Sequence, residues 1–298
     1  MKRKVFCTST GCLEYAPKRY LEQHDIGIIR VHILFDGKDM LEGLDLDPVD
    51  FYNQLEKVDD VKNNLPKTAM PTRAEIMEHF DKAISDGYEE LIVIAISSGL
   101  GGTYNLLRLV ADEYKEKIKI HVIDAKITCF AEGLLAVKAA ELIEKGVDTL
   151  TILKEIEWIQ QRMELIGIDG RLDYLIYNGR LKGGKAFFGK MLSICPVIHF
   201  SPEGECVPIC SVRTQKKALQ KTCELLKEII GDRKSEDYIL HHLYTGTSVL
   251  DQLVEIEKDY GIETNHERVI MSPVSGCHNG PWLAGYIYVP IRRADESL

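Results

Sequence analysis

The sequence predicts an α/β protein of two domains. The N-terminal half carries a mostly parallel sheet with helices on both faces, and the C-terminal half is α+β with a mixed sheet. Three observations lead there. Apolar runs of strand length alternate with helical patterns through the first half of the chain; strand candidates crowd together after about residue 163; and 298 residues, 45% of them apolar, suffice for two medium-sized cores.

Taken in order, Ile28 to Phe35 reads as a strand. Asp47-Pro48 sets a capping side chain before a proline at the first helical position and starts a helix to about Lys57. Thr72-Arg73-Ala74-Glu75 has capping-box spacing and opens a helix that stops near Gly87. Leu91–Ile96 and Ile118–Ile123 are predicted strands, and Thr128 to Lys145, closed by Gly146, is a long apolar-faced helix. Asp148 caps a helix running to about Met163. Beyond it Pro196–Phe200, a Ser201-Pro202-Glu203-Gly204 turn and Val207–Val212 read as a hairpin. Helices near Thr214–Ile230 and Ser248–Tyr260 precede strands at Val269–Pro273 and Leu283–Val289. The domain boundary is placed in the Asp148–Met163 helix, giving domains of 1–155 and 156–298.

Between the Leu91 strand and the next helix lies Ser97-Ser98-Gly99-Leu100-Gly101-Gly102-Thr103. Leu106, Leu107, Leu109 and Val110 are expected to share one face of that helix. The glycines let the backbone approach a ligand, the serines add hydroxyl donors, and the helix N-terminus favours negative charge, so this turn is a candidate anion cradle. In a parallel sheet it would lie at the carboxyl ends of the strands, where ligands usually bind.

A net charge of −9 with scattered basic residues excludes a nucleic-acid interface as the main function. No apolar run reaches membrane-spanning length, and the N-terminal Val5-Phe6-Cys7 is too short for a signal peptide, so a cytoplasmic protein without membrane insertion is expected. The eight cysteines include no CxxC pair and are expected as reduced thiols. Cys206 and Cys210 would share a strand face as small hydrophobes; His241-His242 lacks a ligand partner at diagnostic spacing; no metal and no cofactor is expected.

Six separated segments then line up: Phe6-Cys7-Thr8-Ser9-Thr10, Lys67-Thr68-Ala69-Met70-Pro71-Thr72, the Ser97–Thr103 turn, Leu172 to Arg180, Val212-Arg213-Thr214-Gln215-Lys216-Lys217-Ala218, and Gly276-Cys277-His278-Asn279-Gly280-Pro281. Their order and spacing resemble the DegV family of bacterial fatty-acid-binding proteins, whose motifs run TDS(S/T), TSQPS, SSGLSGT, YLxxGGRI, VRxRKKA and GxHxGPG. The resemblance implies the family's two-domain EDD fold, a long-chain fatty acid held between the domains, and delivery of its carboxylate to a separate ATP-dependent fatty acid kinase that makes acyl phosphate. Arg180 and Arg213 would then dock the kinase. Activity would reside in that partner and not in this chain.

The residues make chemical sense of such a site. Thr68, Ser97, Ser98, backbone amides around Gly99 and the His278 imidazole supply the converging donors a carboxylate needs. An apolar tunnel for the tail supplies affinity, on the order of 10 kcal/mol for a sixteen-carbon chain before binding costs. An acyl-transfer hydrolase using the Ser97-Ser98 turn with His278 as base is the alternative, but G-x-S-x-G is lacking and no acidic third member can be named. Departures from the family pattern are Thr8 for Asp, Met70 for Gln, Gly101 for a serine of SSGLSGT, and Trp282 for the last glycine of GxHxGPG. Trp282 is expected to line the pocket near the head group and narrow it.

Overall fold

The first strand, β1 (Arg3–Thr8), runs inside a parallel sheet and feeds two cores by simple alternation: Val5 and Cys7 face one, Phe6 the other. The computed structural model describes residues 1–183, 194–262, 267–293 and 296–297. After α1 (Arg19–Glu22), β2 (Ile26–Ile29) pairs with β1, and the chain crosses at once to β3 (His32–Phe35). The expected Ile28–Phe35 strand is therefore two strands in two sheets. At the break, the Arg30 guanidinium grips both Glu14 carboxylate oxygens at 2.7 and 2.8 Å and the Glu42 carbonyl at 2.5 Å.

β3, β4 (Lys38–Leu41) and, after α2 (Pro48–Leu55) and α3 (Val61–Asn64), β5 (Lys67–Ala69) form a small antiparallel sheet. The half is completed by α4 (Arg73–Ser85), β6 (Glu90–Ala95), α5 (Thr103–Glu113), β7 (Lys119–Asp124), α6 (Cys129–Glu144) and α7 (Thr149–Gln160). The parallel sheet has order β2-β1-β6-β7. Leu91 and Val93 join Phe6 under α4 and α5, while Ile92 and Ile94 join Val5 and Cys7 under α6, so both faces are covered. The caps are those the sequence implies: Asp47 accepts from Val49 and Asp50, Thr72 and Glu75 form a capping box, and Asp148 accepts from Thr151. On α5 only Leu107 and Val110 are fully buried; Leu109, expected on the same face, is 66% exposed.

The second half runs β8 (Glu164–Asp169), α8 (Leu172–Tyr177), β9 (Cys195–Phe200), β10 (Cys206–Val212), α9 (Gln215–Ile230), β11 (Tyr238–Tyr244), α10 (Thr247–Glu257), β12 (Arg268–Ile270), α11 (Pro273–Asn279) and β13 (Leu283–Pro290). Its sheet, β10-β9-β8-β13-β11-β12, is antiparallel except for the β11–β12 pair. On one face Ile166, Val197, Leu219, Leu253 and Tyr286 belong to a core shared with α9 and α10. On the other, Leu165, Ile198, Leu283 and Ile287 merge with the core under α6, which makes the space between the halves continuous apolar interior.

Two sequence expectations change here. The strand expected over Val269–Pro273 ends at Ile270, and Pro273 instead opens α11, with the Ser272 hydroxyl accepting from the Ser275 amide. Cys206 and Cys210 do not share a face: a register shift between Pro208 and Cys210 turns Cys206 into the core between the halves and Cys210 toward α9. All eight cysteines are free thiols.

Candidate ligand-binding site

A cavity of about 410 Å³ lies between the halves. Val31, Ile96 and Leu100 line it from one side, and Leu165, Ile198 and Leu283 from the other. Such volume and apolar lining suit a small-molecule ligand. No group of three or more His, Cys, Asp or Glu able to hold a metal ion occurs among the described residues.

At one place in this wall the halves exchange a hydrogen bond: Thr68 Oγ1 of β5 lies 3.1 Å from His278 Nε2 of α11. The first half holds α11 from several directions. The Tyr52 hydroxyl donates to the carbonyls of Met271 and Ser272 at 3.0 and 3.1 Å, and the buried Glu42 carboxylate accepts from the Val274 amide at 3.0 Å. The two glycines flanking His278 serve this docking. A Cβ at Gly276 would sit 2.4 Å from the Tyr52 hydroxyl oxygen, and Gly280 has φ of +71° with the Tyr174 ring against it. Burial first, and the nearby Arg180 charge second, push the His278 imidazole down to about 3. It is therefore neutral at pH 7, and its buried Nδ1 has no hydrogen-bond partner among the described residues.

The glycine-rich turn divides in two. Ser97 Oγ donates to the Gly204 carbonyl at 2.7 Å and accepts from the Gly99 amide at 3.1 Å. Ser98 gives its amide and its hydroxyl to the Asp124 carboxylate at 3.0 and 2.5 Å. Gly99 packs on the Gly204 backbone, where a Cβ would come within 2.6 Å of the carbonyl oxygen. Ser97, Ser98 and Gly99 are thus engaged with the β9–β10 turn and with β7, and the cavity wall is made by Gly101, Gly102 and Thr103. Gly102 is the N-cap of α5, so the first-turn amides of that helix, which lack intrahelical acceptors, carry the partial positive charge.

Arg180, expected on an exposed docking loop, is half-buried and lines the cavity. Its Nε donates to the Leu100 carbonyl at 3.2 Å and its Nη1 to Asn178 O at 2.6 Å, and no carboxylate pairs with it among the described residues. Arg213 is exposed, between β10 and the Thr214 cap of α9. Trp282 is not among the residues that line the cavity. It stacks under Arg171, 5.3 Å from guanidinium to ring centre, and packs on the core of α9 and α10. The expectation that it narrows the pocket fails by strand parity: Trp282, Ala284, Tyr286 and Tyr288 share one face while Leu283 takes the cavity side. Met70 does line the cavity. Thr8 leaves no carboxylate missing, because Glu132 of α6 reaches it; the Glu132 carboxylate accepts from Thr8 and, at 2.8 Å, from Thr10. His242 is bound to Glu257 at 2.9 Å, with Tyr286 donating to the same carboxylate, in a buried core network.

Comparison with known proteins agrees with this architecture. A family model described as an uncharacterised protein of the DegV family matches residues 2–290. Protein DegV of Bacillus subtilis is 33% identical over 220 residues, 74% of this chain and 76% of that protein. A DegV domain-containing protein of Listeria monocytogenes is 30% identical over 279 residues, 93% of this chain and 95% of its own. Among solved structures, a fatty-acid-binding DegV family protein from Streptococcus agalactiae superposes with a TM-score of 0.86 at 27% identity, covering 98% of this chain and all of the other. DegV from Bacillus subtilis, described as a fatty acid binding protein, gives 0.81 at 28% identity, covering 97% and 99%. With a parallel sheet in one half, a mixed sheet in the other, a cavity between the halves and a family match over nearly its whole length, this chain belongs to the DegV family.

Proposed function

We propose that the protein binds a long-chain fatty acid in the cavity between domains 1–155 and 156–298, and presents its carboxylate to a separate fatty acid kinase. The observation that carries this reading is the hydrogen-bonded junction of Thr68 and His278, with Arg180, which has no carboxylate partner among the described residues, close by, in a mostly apolar cavity. A carboxylate there would take one hydrogen bond from the Thr68–His278 pair, whose other proton joins the two side chains, together with the charge of Arg180 and the amides of Gly101 to Thr103 at the start of α5. Ser97, Ser98 and Gly99 serve the head group indirectly, by fixing the turn that aims those amides. The apolar walls take the tail, and affinity rises by about 0.8 kcal/mol per buried CH₂. That DegV proteins from Streptococcus agalactiae and Bacillus subtilis are described as fatty acid binding supports the same ligand class.

Native mass spectrometry of the purified protein tests the first step. A retained adduct with the mass of a long-chain fatty acid, lost on delipidation and restored by added acid, is the expected outcome. A protein that takes up no fatty acid after delipidation would overturn it. The second step is tested by adding a fatty acid kinase and ATP to the loaded protein: acyl phosphate should form, and its absence with an active kinase would confine the function to binding. The hydrolase reading has no support, because His278 pairs with Thr68 and both serines of the turn are bound elsewhere.

A further inference from the structure

A second polar spot interrupts the apolar wall. Thr128, at the start of α6, and Ser275 of α11 both line the cavity, and each is 5% exposed. Their hydroxyl oxygens are 3.4 Å apart, and Ser275 Oγ is also 3.4 Å from Ser272 Oγ. Hydroxyl-to-hydroxyl bonds are usually about 2.5–3.0 Å, so these contacts are stretched. No other hydrogen bond engages either side-chain hydroxyl among the described residues, whereas Thr10, in the same wall, is committed to Glu132 at 2.8 Å. Each hydroxyl offers one donor and two acceptor sites, so the pair holds unused capacity in a wall that otherwise rejects polar groups.

The spacing relates this spot to the head group. Ser275 precedes His278 by three residues on α11, which puts it on the same side of the helix, about 4.5 Å along the axis. A carbon chain advances roughly 1.3 Å per bond when extended, given C–C bonds of about 1.5 Å. From a carboxyl carbon level with His278, this is roughly three to four bonds, so with the reach of the C–O bond a substituent on roughly the third to fifth carbon would come level with Ser275.

We propose that Thr128 and Ser275 receive a hydroxyl borne by the ligand close to its carboxylate, so that the preferred ligand is a hydroxylated long-chain fatty acid. The inference rests on the fatty-acid reading above. A ligand hydroxyl inserted between the two side chains replaces one stretched contact with two bonds of ordinary length. An unsubstituted chain at the same place leaves both side-chain hydroxyls facing CH₂ groups.

Calorimetry with delipidated protein and three probes, hexadecanoate, 3-hydroxyhexadecanoate and 12-hydroxyhexadecanoate, tests it. The 3-hydroxy acid should bind about tenfold tighter than the other two, the gain of one net hydrogen bond. In Thr128→Val/Ser275→Ala, with folding checked by circular dichroism, that ratio should fall to about one. Equal wild-type affinities for hexadecanoate and its 3-hydroxy derivative, or the same gain from a 12-hydroxyl, would overturn the inference and leave fatty-acid binding standing. Failure of all three acids to bind would remove both readings. The wild-type comparison decides the matter by itself if the double variant does not fold.

Discussion

The two halves of the Ser97–Thr103 turn differ in a way that inverts their appearance in the sequence. Ser97 and Ser98, with the most conspicuous side-chain chemistry, have their hydroxyls committed to Gly204 and Asp124. Gly101 and Gly102, which carry no side chain, face the cavity together with the start of α5. The same division runs around the whole site. Partnered groups hold the walls in place, and the groups left short of partners among the described residues, His278 Nδ1 and one oxygen of Glu42 without a hydrogen bond and Arg180 without a carboxylate, are those whose behaviour should change with pH or with a ligand.

Glu42 carries the largest expected effect. One carboxylate oxygen accepts from Val274 and the other has no partner among the described residues; burial, with Glu14 adding repulsion, pushes the group up to about 7. Arg30, Glu14, Tyr15, Cys12, Tyr52 and Cys277 are the charged or titratable groups facing it. Because its folded-state value lies above the unfolded one, the folded protein binds this proton more tightly. The resulting stability is full below about pH 4.5 and is lost as pH rises through about 7, a difference of about 3 kcal/mol. Glu42→Gln keeps an acceptor for Val274 and removes the titration. Denaturant unfolding at pH 5 and pH 8 should show wild type losing about 2.5 kcal/mol more than the variant over that interval, part of the effect being already lost at pH 5. Parallel profiles would mean that Glu42 is not held protonated at neutral pH.

Next in size is His278→Ala. Removing one hydrogen bond to a carboxylate should cost about 1.5–3 kcal/mol of affinity, ten- to hundredfold in Kd, while the tail still binds. Thermal stability should change less than affinity, since the imidazole's one bond is to Thr68 at the cavity wall. Ser97→Ala should do the reverse. It strands the buried Gly204 carbonyl and lowers unfolding free energy by about 1.5 kcal/mol, with fatty-acid affinity moving only about twofold. Equal shifts in Kd for both variants would erase the distinction between the two kinds of polar group.

Much of this arrangement was legible because it is local. The caps at Asp47, Thr72 and Asp148 and the β9–β10 hairpin depend on residues a few positions apart. The partners of the serines do not: Gly204 is 107 residues from Ser97 and Asp124 is 26 from Ser98, and no periodicity announces either. β8 escapes pattern reading since it is buried on both faces and shows no alternation. The start of α11 was written in Ser272-Pro273, a cap followed by proline, and could have been found. Trp282 stands near His278 in the sequence but not at the cavity, because the parity of β13 assigns it to the opposite face from Leu283.

The smallest effect on the protein itself is expected from Arg213→Ala, and its contrast with Arg180→Ala sharpens the division most. Both arginines lie in segments resembling family motifs, but Arg180 lines the cavity while Arg213 is exposed and makes no ion pair among the described residues. Arg213→Ala should leave unfolding free energy within about 0.5 kcal/mol and fatty-acid Kd within about twofold. If a kinase reads this surface, an exposed guanidinium on a chain of net charge −9 acts by steering and contact with an acidic partner patch, so acyl phosphate formation should fall about tenfold and lose part of its salt sensitivity. Arg180→Ala should instead weaken fatty-acid binding before any kinase is added, because the charge it removes lines the cavity. The check is a pair of measurements on each variant, calorimetric Kd and kinase-coupled turnover at two ionic strengths. If Arg213→Ala weakens lipid binding as much as Arg180→Ala does, exposure does not separate their roles and the two arginines act on the ligand alike.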